Sequence, residues 1–279
     1  MLRNKTKYLF VIVCFITLNK LFSQEVITDI ALSKKLDETS GLEIVNNTLI
    51  TINDSGNKPV LFYLDKKGNI LDERKLDCCK NNDWESLAVD DEFIYIADMG
   101  NNFDTRKNLS IIKIPIQKSS NEIAEIINFS YPEQKKFVTT FRSSQYDAEA
   151  LISMDNSLII FTKNKLKKIT EIYSLPKIAG KYEAKKIGSL NTQSIITGGD
   201  YDPDSKLLAL TSTINFIKYY ILIITDFSLN KKNQKIDMYE IPIGMTQVEA
   251  IKIIDESTFW ITSEDESSSS SARLMKIKL

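Results

Sequence analysis

Residues 83–102 read DWESLAVDDEFIYIADMGNN, and the fold follows from how this stretch is built. Glu85 opens a strand of alternating character, Asp90-Asp91-Glu92 makes a short polar turn, and a second, very apolar strand ends in the polar cluster Asp98-Met99-Gly100-Asn101-Asn102. The alternation has the period of two that a half-buried strand requires. The same plan recurs upstream as TSGLEIVNNTLITINDSGN (39–57). It recurs downstream as DAEALISMDNSLIIFTKN (147–164), ITGGDYDPDSKLLALTSTIN (196–215) and QVEAIKIIDESTFWITSEDE (247–266). Aligned on the second strand, the opening residues of the five copies are Ser40, Glu85, Glu149, Thr197 and Glu249.

Two more strand-like runs follow each copy. They fall at 60–65 and 70–76, at 109–115 and 125–131, at 170–176 and 182–190, and at 219–227 and 235–243. The fifth copy has only 272–279 after it, and one strand is left over at 26–33. Four strands about every 50 residues is the pattern of a β-propeller. The expected fold is therefore all-β, a single propeller of five four-stranded blades, with the N-terminal strand completing the last blade. Closing the ring in this way hides two sheet edges that would otherwise recruit other chains. Six blades is the alternative, and it requires extra strands near Lys136 and Phe141 in the long interval before the third copy; an inserted loop is the reading taken for that segment. Trp84 and Trp260 are expected to pack between blades.

Composition excludes several chemistries. The 279 residues contain no histidine, which removes Ser-His-Asp triads, Cys-His nucleophile pairs and HExxH zinc sites. Residues 1–24 carry Arg3, Lys5 and Lys7 ahead of the apolar run YLFVIVCFIT (8–17), with a small residue, Ser23, beside the expected cleavage point. This reads as a secretory signal peptide, too short to span a bilayer, followed by a propeller domain at 25–279. A secreted or periplasmic location is expected, with no transmembrane segment after cleavage and no further domain after the last blade. Cleavage removes four basic and no acidic residues, so the net charge moves from −1 to −5. No basic stripe interleaved with aromatics suggests a nucleic-acid partner. The lysine-rich run at 163–168 reads as a solvated turn, and the serine run 267–271 as a flexible loop. Cys78 and Cys79 are adjacent and staple no distant segments together, so the apolar core has to hold the domain. A monomer is expected.

In a propeller the start of each blade's first strand and the end of its second lie on one face, close to the axis. The opening column brings Ser40, Glu85, Glu149, Thr197 and Glu249 there, and the closing column brings Asp54, Asp98, Lys163, Ser212 and Glu264. Several glutamates at one axis repel unless compensated. A hard divalent cation is the natural compensator: Ca2+ accepts six to eight oxygens in flexible geometry, and carboxylates, hydroxyls and carbonyls are its ligand types. The opening column is thus a candidate metal site. The same residues also fit a second reading, in which the glutamates cap strand starts around a water-filled channel. Asp54, Asp98, Asn101, Arg106, Lys163 and Glu264 are candidates for contacting a small-molecule, glycan or protein ligand at the mouth.

The motifs ETSGLEIVNNTLITINDSGN, DWESLAVDDEFIYIADMGNN, YDAEALISMDNSLIIFTKN and ITGGDYDPDSKLLALTST resemble, in order, a family of secreted bacterial β-propellers described as phytase-like. A weaker similarity is to the five-bladed calcium-activated nucleotidases (apyrases). That similarity implies an axial calcium held by Ser40, Glu85, Glu149 and Glu249, with Thr197 where a serine would be expected. Two functions follow as expectations. The first is a secreted propeller that binds a ligand at one face of its channel, with an axial calcium. The alternative is a calcium-dependent phosphoester hydrolase in which the ion polarises a phosphoryl oxygen and Asp54 or Asp98 positions water.

Overall fold

The computed structural model of the chain describes residues 24–118, 123–231, 233–244, 246–264 and 271–279. The segment expected to be a signal peptide, apart from Gln24, and most of the serine run lie outside the described residues. Strand β1 (Glu25–Ala31) precedes four strands of blade 1, β2 (Thr39–Val45), β3 (Thr48–Asn53), β4 (Val60–Leu64) and β5 (Ile70–Lys75). Blade 2 contains β6 (Trp84–Val89), β7 (Phe93–Asp98), β8 (Leu109–Pro115) and β9 (Glu125–Ser130). Blade 3 contains β10 (Ala148–Met154), β11 (Ser157–Thr162), β12 (Thr170–Pro176) and, after the short β13 (Gly180–Glu183), β14 (Lys185–Leu190). Blade 4 runs through β15 (Ile195–Asp202), β16 (Leu207–Ile214), β17 (Lys218–Ile224) and β18 (Asp237–Glu240), and blade 5 through β19 (Val248–Asp255), β20 (Thr258–Ser263) and β21 (Arg273–Lys278).

The inner strands β2, β6, β10, β15 and β19 pack each against the next and close a ring. The molecule is a five-bladed β-propeller. Blade 5 is completed by β1, which pairs antiparallel with β21, as the leftover strand requires. No strand occupies the interval near Lys136: it is a loop carrying a single 3₁₀ turn at Phe141–Ser143. The sixth blade is therefore absent. One expected strand, 182–190, is divided. Its first part, β13, adds in parallel to β9 on the outer edge of blade 2, and only β14 belongs to blade 3. The division falls at the fully buried Ala184, whose N–H donates to the Ser130 carbonyl at 2.8 Å. An outer edge that would face water is thereby covered.

The core lies between blades rather than within one. Trp84 is buried with Ile50 and Ile52 of blade 1 and Ile94 and Ile96 of its own blade; Trp260 is buried with Leu42 and Leu49 across the blade 5–blade 1 seam. Both tryptophans thus sit where the sequence placed them. Truncating a side chain as large as Trp84 costs about 3–5 kcal/mol in such a setting. Hairpins are turned by residues that tolerate left-handed backbone, such as Asn46-Asn47 between β2 and β3 (φ 48° and 62°). Among the described residues, no helix is long and apolar enough to cross a membrane.

Candidate functional site

Each inner strand carries a one-residue register shift against its neighbour; four fall at Glu85, Glu149, Thr197 and Glu249, and in blade 1 the residue left unpaired is Gly41, one position after Ser40, which stays paired with Ile52. The shifts lie between Ser40 and Leu42, Trp84 and Ser86, Ala148 and Ala150, Ile196 and Gly198, and Val248 and Ala250. A bulge at this point places two residues opposite one and re-aims the side chain it frees. Fivefold repetition at the start of the axial strands turns Glu85, Glu149 and Glu249 toward one mouth of the channel.

Carboxyl oxygens of Asp54, Asp83 and Glu85 lie within 4.8 Å of one another, and so do those of Glu85, Asp147 and Glu149. Glu85 is common to both groups. Glu249 and Glu264 join from blade 5, where Gln247 donates to Glu264 at 2.8 Å. Asp83 and Asp147 escaped the sequence reading. The signal was there as the pair of D-x-E triplets 83–85 and 147–149, since residues two apart on a strand share a face.

Three cations enter this pool, each already engaged. Lys163 is bonded to Glu149; Lys165 Nζ stands 3.1 Å from Asp147 Oδ2; Arg106 donates to Asp98 Oδ1 at 2.7 Å and to the Gly100 carbonyl at 2.8 Å. Lys163 and Lys165 are buried, which corrects the expectation of a solvated turn for the first half of 163–168, while Leu166, Lys167 and Lys168 are exposed as that expectation has it. Neighbouring carboxylates draw these lysines inward. Asp98 also accepts from Asn82 and from the Asp83 N–H, while Asn101 donates its N–H to Asp147 and accepts from the Arg106 N–H. Asp98, Asn101 and Arg106 therefore hold the loop after β7 in shape. Ser40 spends its hydroxyl proton on the Trp84 carbonyl at 2.8 Å. The rim is set one position later than the sequence alignment in two blades: Asp54, Met99, Lys163 and Glu264 donate their N–H groups to the residues two before the opening column, and Thr213 pairs with Ile195.

Glu85 and Glu249 differ from these. Each is only 5% exposed, and among the described residues neither carboxylate receives a hydrogen bond. On the first two strands of blades 4 and 5, the buried hydroxyls of Thr197, Ser212, Thr262 and Ser263 have no partner among the described residues. Burial, together with the charges of Glu149, Asp54 and Asp83, raises the Glu85 carboxyl well above the usual range; burial with Glu149 and Glu264 does the same to Glu249. Burial, then Asp83 and Glu149, pushes Asp54 up to about 7. Asp83 is raised to about 6 by burial despite Arg106, and Glu264 to about 8 by burial and Asp54. Burial works against a charge on Lys163, yet Glu149, Asp147, Glu249 and Glu85 hold its proton well above the usual lysine range. The arrangement can therefore do one of two things near neutral pH: keep protons on several carboxyls, or exchange them for a hard cation. A Cβ on Gly100 would collide with the Glu85 and Asp83 carboxylates, so glycine makes the room they occupy.

The opposite mouth is built differently. There Lys252 Nζ bridges Glu43 at 2.6 Å and Asp200 at 3.0 Å. Above this triad lies a cavity of about 690 Å³ to which all five blades contribute.

No family model matches this chain, and no curated protein matches it. Among solved structures, a chain from "Crystal structure of glucose dehydrogenase" shares 6% identity over 89% of this chain and 99% of its own, with a TM-score of 0.50. A chain of "Crystal Structure of Mitotic Checkpoint Complex" shares 10% identity over 100% and 99%, with a TM-score of 0.48. The likeness at 0.50 concerns the fold alone. What stands is a five-bladed propeller with an acidic cluster at one mouth.

Proposed function

We propose that the protein is a cation-dependent binding protein, secreted, whose channel mouth holds a hard divalent ion, calcium first, and presents it to a ligand. The observation that carries this reading is the pair Glu85 and Glu249: two buried carboxylates that receive no hydrogen bond among the described residues, at a mouth where other carboxyls converge on Glu85. Buried charges without partners are costly, and a bound cation removes that cost. Glu85 would hold the ion together with Asp54 and Asp83 or with Asp147 and Glu149, the two sets whose carboxyl oxygens converge, and Glu249 would add its charge from blade 5. Ca2+ would supply positive charge and open coordination positions for an oxygen of the ligand. The resemblance to calcium-activated nucleotidases supports the choice of metal. The site supports binding better than phosphoester hydrolysis, because Arg106, Lys163 and Lys165 are each committed to carboxylates and none is left to meet a phosphate.

Thermal unfolding in EGTA and across a calcium titration tests the reading. Saturation at 100 times Kd should stabilise by about 2.7 kcal/mol, a rise of roughly 5–10 °C for a domain of this size. The double substitution Glu85→Gln with Glu249→Gln should raise the melting temperature in EGTA, because it relieves repulsion, and abolish the calcium response. A calcium response retained in that variant would overturn the site.

A further inference from the structure

Blade 4 breaks the acidic pattern at the mouth. Where blades 2 and 3 place Asp83 and Asp147, it places Ile195, and its rim residue is Thr213. Beside Ile195 opens a pocket of about 430 Å³ whose other walls are Phe141, Phe216, Arg142, Lys165, Lys168 and Asn215. Three of the lining residues are cationic, two are aromatic, and none is acidic. In a chain with 37 acidic residues and 36 basic ones, that bias is local. Lys165 is paired with Asp147 and lies over the Phe141 ring, 3.9 Å from its centroid. Arg142 and Lys168 are exposed and make no ion pair among the described residues. The rings of Phe141 and Phe216 are 6.0 Å apart and tilted by 35°, and Phe103 stands 6.2 Å beyond Phe141.

The backbone under Phe216 is a second, independent observation. Asn215 and Phe216 both have positive φ, 58° and 57°, in the turn closed by the Ile217 N–H donating to the Ile214 carbonyl at 3.4 Å. Hairpin turns with two left-handed residues favour Asn-Gly, and a bulky side chain at the second position is an outlier. Here a phenylalanine stands where glycine would relax the chain, and its ring is delivered to the pocket wall. Strain held at a pocket is the pattern of a functional residue.

We propose that this pocket binds a small organic anion with a flat apolar body, of the aromatic carboxylate class. The ring would lie against Phe141 and Phe216, and the carboxylate would meet Arg142 and Lys168, which are free to form charge-assisted hydrogen bonds. The proposal does not rest on the cation at the mouth, and its test is run in EGTA. Calorimetric titration of the protein with 2-naphthoate should give saturable binding, about tenfold or more tighter than with the neutral isostere 2-naphthamide. Phe216→Gly should weaken naphthoate binding at least about tenfold while leaving the melting temperature unchanged or higher. Arg142→Glu, on an exposed turn, should weaken it similarly with no change in folding. Equal affinity for acid and amide, unchanged binding in Phe216→Gly, or no binding at millimolar naphthoate would each overturn the proposal.

Discussion

Glu85 holds a carboxyl group that receives no hydrogen bond among the described residues, and burial with the charges around it raises it well above the usual range. Asp54, Asp83 and Glu264 carry raised values of about 7, 6 and 8, while an unfolded chain titrates them near 4. The folded protein therefore binds more protons than the unfolded one between about pH 4 and pH 8, and stability must fall as pH rises through that window. The full contribution is present below about pH 4 and is lost by the time pH passes the folded values. In EGTA, the free energy of unfolding should drop by on the order of 2 kcal/mol between pH 5 and pH 8, after allowance for partial solvent screening. Saturating calcium should flatten the profile by replacing those protons. Melting curves across pH, with and without calcium, check both statements. A flat profile in EGTA would show that these carboxyls titrate as they do in water.

At the scale of strands, five similar hairpins make one site because four bend at the opening residue and the fifth one residue later. The alternation that marks them was legible in sequence, and the opening and closing residues were legible to within one position: the rim falls at Met99 and Thr213 rather than Asp98 and Ser212, and the bulge of blade 1 at Gly41 rather than Ser40. The bulges were not legible, because a register shift is a relation between two strands. Asp83 and Asp147 were missed for a related reason: reading one residue per copy hides its neighbour two positions earlier on the same face. The split of 182–190 also escaped, because residues 180–183 find their partner in β9, some fifty residues back, rather than in the blade that follows. The pocket of blade 4 depends on a loop, a hairpin tip and a strand start meeting in space. Gly100 shows how far the element matters. It lies in the loop after β7, and any side chain there would occupy the space of the Glu85 and Asp83 carboxylates. Gly100→Ala should leave the β-sheet circular dichroism unchanged and weaken calcium affinity by about tenfold or more, as displaced ligating oxygens require. Calorimetric titration with Ca2+ measures it, and wild-type affinity would show that the carboxylates move aside without loss.

A ring of blades has one seam that the chain cannot cross by a tight turn, and this molecule secures it from both ends. At the rim of blade 5, β1 pairs with β21, and Asp29 and Arg273 are joined by an ion pair. Near the axis, Lys252 of blade 5 reaches Glu43 of blade 1 and Asp200 of blade 4, so one ammonium ties three blades on both sides of the seam. Asp200 accepts in addition from the Ile253 N–H at 2.8 Å. Burial raises Glu43 to about 7 even with Lys252 beside it, so the lysine charge compensates two desolvated carboxylates. Lys252→Met keeps much of the side-chain volume and removes only that charge. Breaking a buried pair in this way costs about 3–5 kcal/mol, because the carboxylates stay buried and unanswered. The deficit should therefore depend on pH in a defined direction: full near pH 8, and shrinking as pH falls through 7 toward 5, where Glu43 takes up a proton and no longer needs a cation. Adding Glu43→Gln and Asp200→Asn to Lys252→Met should recover most of the lost stability at pH 8. Urea unfolding of the single and triple variants at pH 5 and pH 8 separates this account from a packing defect, which would cost the same at both pH values and would not be rescued.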